Sequence, residues 1–306
     1  MKPVQRIMRS LGSHRRPVVN TLSALAVLAL GTVASAASAQ QAPADAAPTR
    51  QSLKVCQDPN NLPFSSTDAP GFENRIAELF GRELGLPVTY FSFPNRLAFI
   101  RNTLRYKLPG EDFRCDIVMG VPAGFDQVSA TKPYYRSTYA LVFPKGKGLD
   151  GVQSSTDLLA LPPARLKKLR IGVIDRSPAS DWLARHDLVE QGIPYPMMNA
   201  DPAEYPGQIV ERELAGGKID AAIVWGPIAG YFAKRLQGQA DLAVVPMVSE
   251  PGVKFDFAMA MGVRYGEPAW KQQVEGLIEK TRPQILAILR DYGVPLLEDP
   301  QAAPAR

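Results

Sequence analysis

Few residues of this chain are of the types that do chemistry. Beyond residue 39 there are two cysteines, Cys56 and Cys115, and one histidine, His186. In an oxidising compartment two cysteines most simply pair, the alternatives being metal ligation or a reactive thiol. A zinc site asks for about four Cys, His or carboxylate ligands, and no CxxC or HxxxH spacing is present. The run Phe113-Arg114-Cys115-Asp116 offers no partner base for a thiolate nucleophile. A structural disulfide is therefore expected. General acid–base catalysis needs a positioned pair of titratable groups. The candidates are Asp58, Glu73 and Asp175, and the sequence places no two of them together.

The first segment reads as an export signal. Lys2, Arg6, Arg9, Arg15 and Arg16 precede any acidic residue, which first occurs at Asp45. The apolar run Leu22 to Leu30 leads to the small residues 34–39 and Gln40, so cleavage is expected after Ala39. The run is short for a membrane anchor of about 20 apolar residues, and Gly31 and Thr32 weaken it further. Arg15-Arg16 hints at twin-arginine export, but Pro17 follows directly and ordinary secretion is the reading. The whole chain carries 35 basic and 30 acidic residues, a net charge of +5, and the leader holds the entire excess. What remains is near neutral and lacks the basic face that nucleic-acid binding requires. No later stretch is apolar enough to span a membrane. Residues 40–51, rich in Ala, Pro and Gln, read as a disordered tether.

The elements that must position the chemical groups alternate along the chain. Leu53 to Cys56 is a short strand that ends at the turn formers Asp58-Pro59-Asn60-Asn61. Phe72, Ile76, Leu79, Phe80 and Leu84 fall at helical spacing, closed by Gly85. Val88 to Phe93 is a strand. A helix capped by Asn95 is expected to turn Leu97, Ile100 and Leu104 inward, and Asp116 to Val121 is a buried strand. A β-α-β-α-β order calls for a parallel sheet covered by helices. The same order returns as a strand to Ile174, a helix with Trp182 and Leu183, a helix with Ile209, Val210 and Leu214, and a strand from Asp220 to Trp225. Tyr134 to Phe143 is expected to cross between the halves and Phe255 to Val263 to cross back. Pro268 to Ile278 and Pro283 to Leu289 close the chain as a broken helical end. The expected organisation is an α/β fold of two lobes joined by a two-strand hinge. Lobe 1 takes residues 52–138 and 252–298, lobe 2 takes 139–251, and 299–306 is a flexible tail. In such sheets the ligand sits beyond the carboxyl ends of the strands, here between the lobes.

With these elements placed, the chain resembles the type II periplasmic solute-binding proteins from about Leu53 to Leu297. Within them it is most similar to the MxaJ/XoxJ proteins associated with methanol oxidation and quinoprotein dehydrogenases. The motifs that carry the likeness are VCQDPNNLPFS (55–65), GFEN (71–74), CDIVMGVP (115–122), TKPYYRS (131–137) and VWGPIAGY (224–231). The resemblance implies an accessory partner of a pyrroloquinoline-quinone (PQQ)-dependent alcohol or methanol dehydrogenase and its cytochrome c. Any quinone cofactor belongs to that partner. It also sets the first and third strands side by side, which places Cys56 next to Cys115.

The chain departs from the amino-acid binders of that superfamily in two places. They usually place an arginine after the third strand to fork onto the ligand carboxylate, and residues 121–129 contain no Arg or Lys. They usually end the later strand with an acidic residue for the ligand ammonium, and Trp225 stands there instead. The presumed cleft is then lined by Asp58, Asn60, Phe64, Phe72, Phe125 and Tyr134 from one half, and by Asp175, Arg176, Ser177, Trp225 and Tyr231 from the other. Aromatic walls with few charges suit a small, partly apolar or planar molecule. Each residue also has a plainer reading. Phe72 fits a helix core, Tyr134 and Tyr135 fit hinge packing, and Asp58 fits a turn cap. Arg176, on a βα turn, is the charged group expected to face the cleft. The functional readings are a non-enzymatic accessory protein, a receptor delivering a small non-amino-acid solute to a permease, and a dehydratase on the same fold.

Overall fold

The computed structural model describes residues 50–95, 98–197, 201 and 203–298. The expected leader, most of the tether, Leu97 and the tail lie outside them. Among the described residues no helix is long and apolar enough to cross a membrane.

Strands β1 (Leu53–Gln57), β2 (Val88–Ser92) and β3 (Ile117–Pro122) pair in parallel, with β1 central. Strand β4 (Tyr135–Pro144) links this half to the second, which contains β5 (Ile171–Ile174), β6 (Gly192–Tyr195), β7 (Ala221–Trp225) and β8 (Leu242–Pro246). Strand β9 (Asp256–Val263) returns to the first half, antiparallel to both β3 and β4. The resulting order is β2-β1-β3-β9-β4-β7-β5-β6, with β8 also on β4. Strand β4 changes partner within its length. Tyr135 to Thr138 pair with β9, and from Tyr139 onward it pairs with β7. That switch marks the boundary between the halves.

Side chains alternate across β4 as a strand with both faces covered demands. Leu141 and Phe143 join one core with Ile171, Val173 and Trp182, while Ala140 and Val142 join another with Val210, Val224 and Phe232. In the first half, helix α1 (Phe72–Leu84) packs Phe72, Ile76 and Phe80 on β1 and β3. Gly85, in the left-handed region at φ 65°, ends it. The helices α4 (Pro268–Lys280) and α5 (Arg282–Asp291) cover the same face through Trp270, Val274, Ile285 and Leu289. The second half carries α2 (Pro178–Arg185) and α3 (Gly226–Arg235).

Three expectations change. The helix expected from Asn95 is only Phe99–Asn102, because Ala98 is in the left-handed region and no side chain caps it, although Ile100 and Leu104 are still buried. Ile209–Leu214 is a π-helical segment. Cys115 precedes β3 instead of lying in it, yet it bonds Cys56 across a Cα–Cα distance of 5.3 Å.

Candidate functional site

The site is built where the first half of the chain turns back on itself. Asp58 follows β1, and its two carboxylate oxygens accept the backbone N–H groups of Asn60 (2.8 Å) and Asn95 (2.5 Å). Ser65 donates its hydroxyl to the Asp58 carbonyl at 2.9 Å, and Asn60–Asn61 pair with Ser65–Ser66 as a two-residue ladder. Asn74 fixes this turn to α1. Its carbonyl oxygen accepts from Gly71 (2.9 Å) and Ser66 (3.2 Å), and its amide donates to Gln57 at 2.8 Å. Gly71 is required by close approach, since a Cβ there would collide with the carbonyl groups of Pro63 and Phe64. The N–H groups of Phe72 and Glu73 then donate to those same two carbonyls at 2.8 and 2.9 Å. The first turn of α1 is thereby locked, and Glu73 is carried to the wall of a cavity.

That cavity has a volume of about 430 Å³ and lies between the halves, and a second of about 300 Å³ adjoins it. The first half supplies Asp58, Asn61, Phe64, Glu73, Phe99 and Phe125 to the larger space. The second half supplies Ile174, Ser177 and Trp225, and Tyr139 stands at the switch point of β4. Trp225 is opposite Tyr139 in the ladder, with ring centroids 5.5 Å apart, and Phe257 completes an aromatic group 5.9 Å from Trp225. Asn60 lines the smaller space beside Tyr195 and Tyr205.

Of the residues expected in the cleft, Asp58, Asn60, Phe64, Phe125, Ser177 and Trp225 are at cavity walls. Five are elsewhere. Phe72, on the inward face of α1, and Tyr134, just before β4, are fully buried in the core beneath α1. Arg176 does not face the cleft. Its side chain is 84% exposed and reaches back to the Asp175 carboxylate at 3.4 Å. Tyr231 stacks on Tyr292 at 5.7 Å, a contact between α3 and the segment after α5. Sequence reasoning missed Tyr139, Phe99 and Asn61 as wall residues and treated Glu73 only as a possible acid. The GFEN motif was the available signal for Glu73.

The electrostatics are one-sided. No Lys, Arg or His is among the described residues lining either cavity. Burial, and next the neighbouring charge of Asp58, pushes the Glu73 carboxyl up to about 8. Burial likewise raises the phenols of Tyr134 and Tyr135. The Ser177 hydroxyl and the Asn61 carbonyl oxygen are buried without a hydrogen-bond partner. Among the described residues no three His, Cys, Asp or Glu side chains gather as a metal set.

Two α/β halves joined through β4 and β9, with a cavity between them, define the two-lobed fold of the type II periplasmic binding proteins. The crystal structure of periplasmic binding protein XoxJ from Methylobacterium extorquens AM1 matches at a TM-score of 0.64 and 36% identity, over 81% of this chain and 100% of that one. The structure of MxaJ from Methlophaga aminisulfidivorans MPT matches at 0.66 and 26% identity, over 80% of this chain and 100% of that one. In sequence, Protein MoxJ of Methylorubrum extorquens is 31% identical over 299 residues, covering 90% of this chain and 92% of its own length. The chain belongs to the MoxJ family, the MxaJ/XoxJ group of binding proteins. No protein-family model matches it.

Proposed function

We propose that this chain is an exported, non-enzymatic accessory protein of a PQQ-dependent methanol or alcohol dehydrogenase system, acting in the periplasm on the dehydrogenase and its cytochrome c. The observation that carries this reading is likeness to MoxJ over nine-tenths of the chain, together with a cleft that has no arginine among its described lining residues and has Trp225 at the end of β7, where amino-acid receptors usually carry an acid. The periplasmic location is supported by the leader pattern and by the solved relative named as a periplasmic binding protein. Binding is favoured over turnover. Asp58 is occupied by two backbone N–H groups and Asp175 is half exposed beside Arg176, which leaves Glu73 without a second acid or base suited to a dehydratase.

A second reading, a receptor that delivers a small non-amino-acid solute to a membrane permease, draws support from the size of the cleft and from its unpartnered polar atoms. Affinity capture from periplasm of the host grown on an alcohol separates the two. Recovery of a quinoprotein dehydrogenase or its cytochrome supports the accessory role. Recovery of neither, together with thermal stabilisation by a small solute, supports the receptor.

A further inference from the structure

Three features of the cleft wall point the same way. The unpartnered side-chain atoms there are oxygens, the Ser177 Oγ and the Asn61 Oδ1, and Ser177 is only 2% exposed. Glu73 adds a carboxyl that lies against Gly120, where any larger residue would take its space. The remaining wall is largely apolar and includes the rings of Phe64, Phe99, Phe125, Tyr139 and Trp225, with Trp225 and Tyr139 in edge contact, and no described basic residue faces it. A carboxylate ligand would meet the Asp58 carboxylate with no cation among the described wall residues to offset it, at a cost that grows in a part-buried site. An ammonium group finds acceptors at Glu73, Asn61 and Ser177, while aromatic faces receive its apolar body.

We infer that the cleft binds a small organic ammonium ion with an apolar body and without a carboxylate, its nitrogen held by Glu73, Asn61 and Ser177. The inference deepens the binding reading of this cleft and does not depend on the dehydrogenase, so its failure leaves the capture experiment untouched. The ionisable groups facing Glu73 are Asp58, Tyr134 and Tyr135. Both phenols are raised further from neutrality, so Glu73 is the group that titrates near pH 8. In the empty protein at pH 7 its carboxyl is mostly protonated. An arriving ammonium ionises it, and up to about one proton leaves to the buffer per amine bound.

The test is calorimetric titration of the secreted form with benzylamine, cyclohexylamine, benzyl alcohol and benzoate at pH 7. Each is run in two buffers of different ionisation heat. The expected result is that at least one amine binds about tenfold or more tighter than benzyl alcohol, with proton release, and that benzoate does not bind. Glu73→Gln, which replaces a neutral acid by a neutral amide, should fold, abolish the proton release and weaken the amine by about tenfold. Ser177→Ala serves as a second variant that leaves the acid in place and should weaken the amine without changing the proton count. Equal or tighter binding of the alcohol, undiminished amine binding by Glu73→Gln, or no amine binding at millimolar concentration each overturns the inference.

Discussion

The carboxyl group of Glu73 fills the space that a side chain at position 120 would occupy: a Cβ built on Gly120 collides with its Oε1. Glycine on the third strand is thus the counterpart of an acid on the first helix. The two were separate motifs in the sequence, GFEN and CDIVMGVP, and the fold makes them one wall. A second close glycine contact differs in kind. A Cβ on Gly230 in α3 would strike the backbone carbonyl of Gly293, which cannot swing aside.

The pair predicts unequal outcomes. Gly230→Ala should cost about 1–3 kcal/mol or more, because two backbones must separate. Gly120→Ala should cost less than about 1 kcal/mol, since the end of Glu73 is free to turn into the cavity. Chemical denaturation of both variants checks this, and equal losses would count against the packing described.

Arg264 predicts a larger loss. It is 8% exposed and its guanidinium pairs with Asp116 at 3.0 Å and Glu267 at 2.6 Å while also donating to the Cys115 and Leu104 carbonyls. Arg50 shares both acids, reaching Glu267 at 2.8 Å and Asp116 at 3.7 Å, and stacks on Trp270. Arg264→Ala should destabilise by about 3–5 kcal/mol, reduced somewhat by Arg50. Arg264→Lys should recover little, because one ammonium cannot replace a fork with several donors. Full recovery by lysine, read from the unfolding midpoint, would contradict this.

Cys56 and Cys115 predict a protein without free thiols. Their bond closes a segment with a sequence separation of 59. The double variant Cys56→Ser with Cys115→Ser should lose about 2–4 kcal/mol. Thiol titration of the unreduced, unfolded protein should find none, and two reactive thiols would refute the bond.

Glu73 also predicts a pH dependence with a definite sign. Its folded-state value is raised from 4.5 to about 8. Folding therefore favours the protonated form, and the stability this group permits is complete below about pH 4.5. It declines as the pH rises towards 8, because only the unfolded chain ionises freely across that window. Glu73→Gln removes the effect, so its advantage over the parent should be absent near pH 4, grow with pH and reach roughly 1–4 kcal/mol near pH 8. Melting curves across that range check it, and a constant difference would refute the assignment.

Much of this architecture was legible beforehand for physical reasons. The helix from Phe72 to Leu84 announced itself by apolar spacing and by Gly85, and the buried strands by short, mostly apolar runs. The helix expected from Asn95 is shorter because a good capping residue is only a local signal, whereas Ala98 takes the left-handed region just before Phe99. The cleft was legible only in part. Ser177 and Trp225 follow from the rule that ligands gather beyond strand ends. Arg176 follows the same rule and still points to solvent, since its positive φ of 53° turns it away. Tyr139 became a wall residue only through the change of partner within β4, a long-range event with no local mark. Glu73 shows its character only through burial.

The central claim is that this MoxJ-family protein works on a dehydrogenase. Sedimentation velocity of the purified protein mixed with purified PQQ-dependent methanol dehydrogenase from the same host tests it most directly. The account predicts a faster boundary that contains both proteins and saturates at a fixed ratio. Two independent boundaries, unchanged across micromolar concentrations and with the cytochrome added, would contradict it.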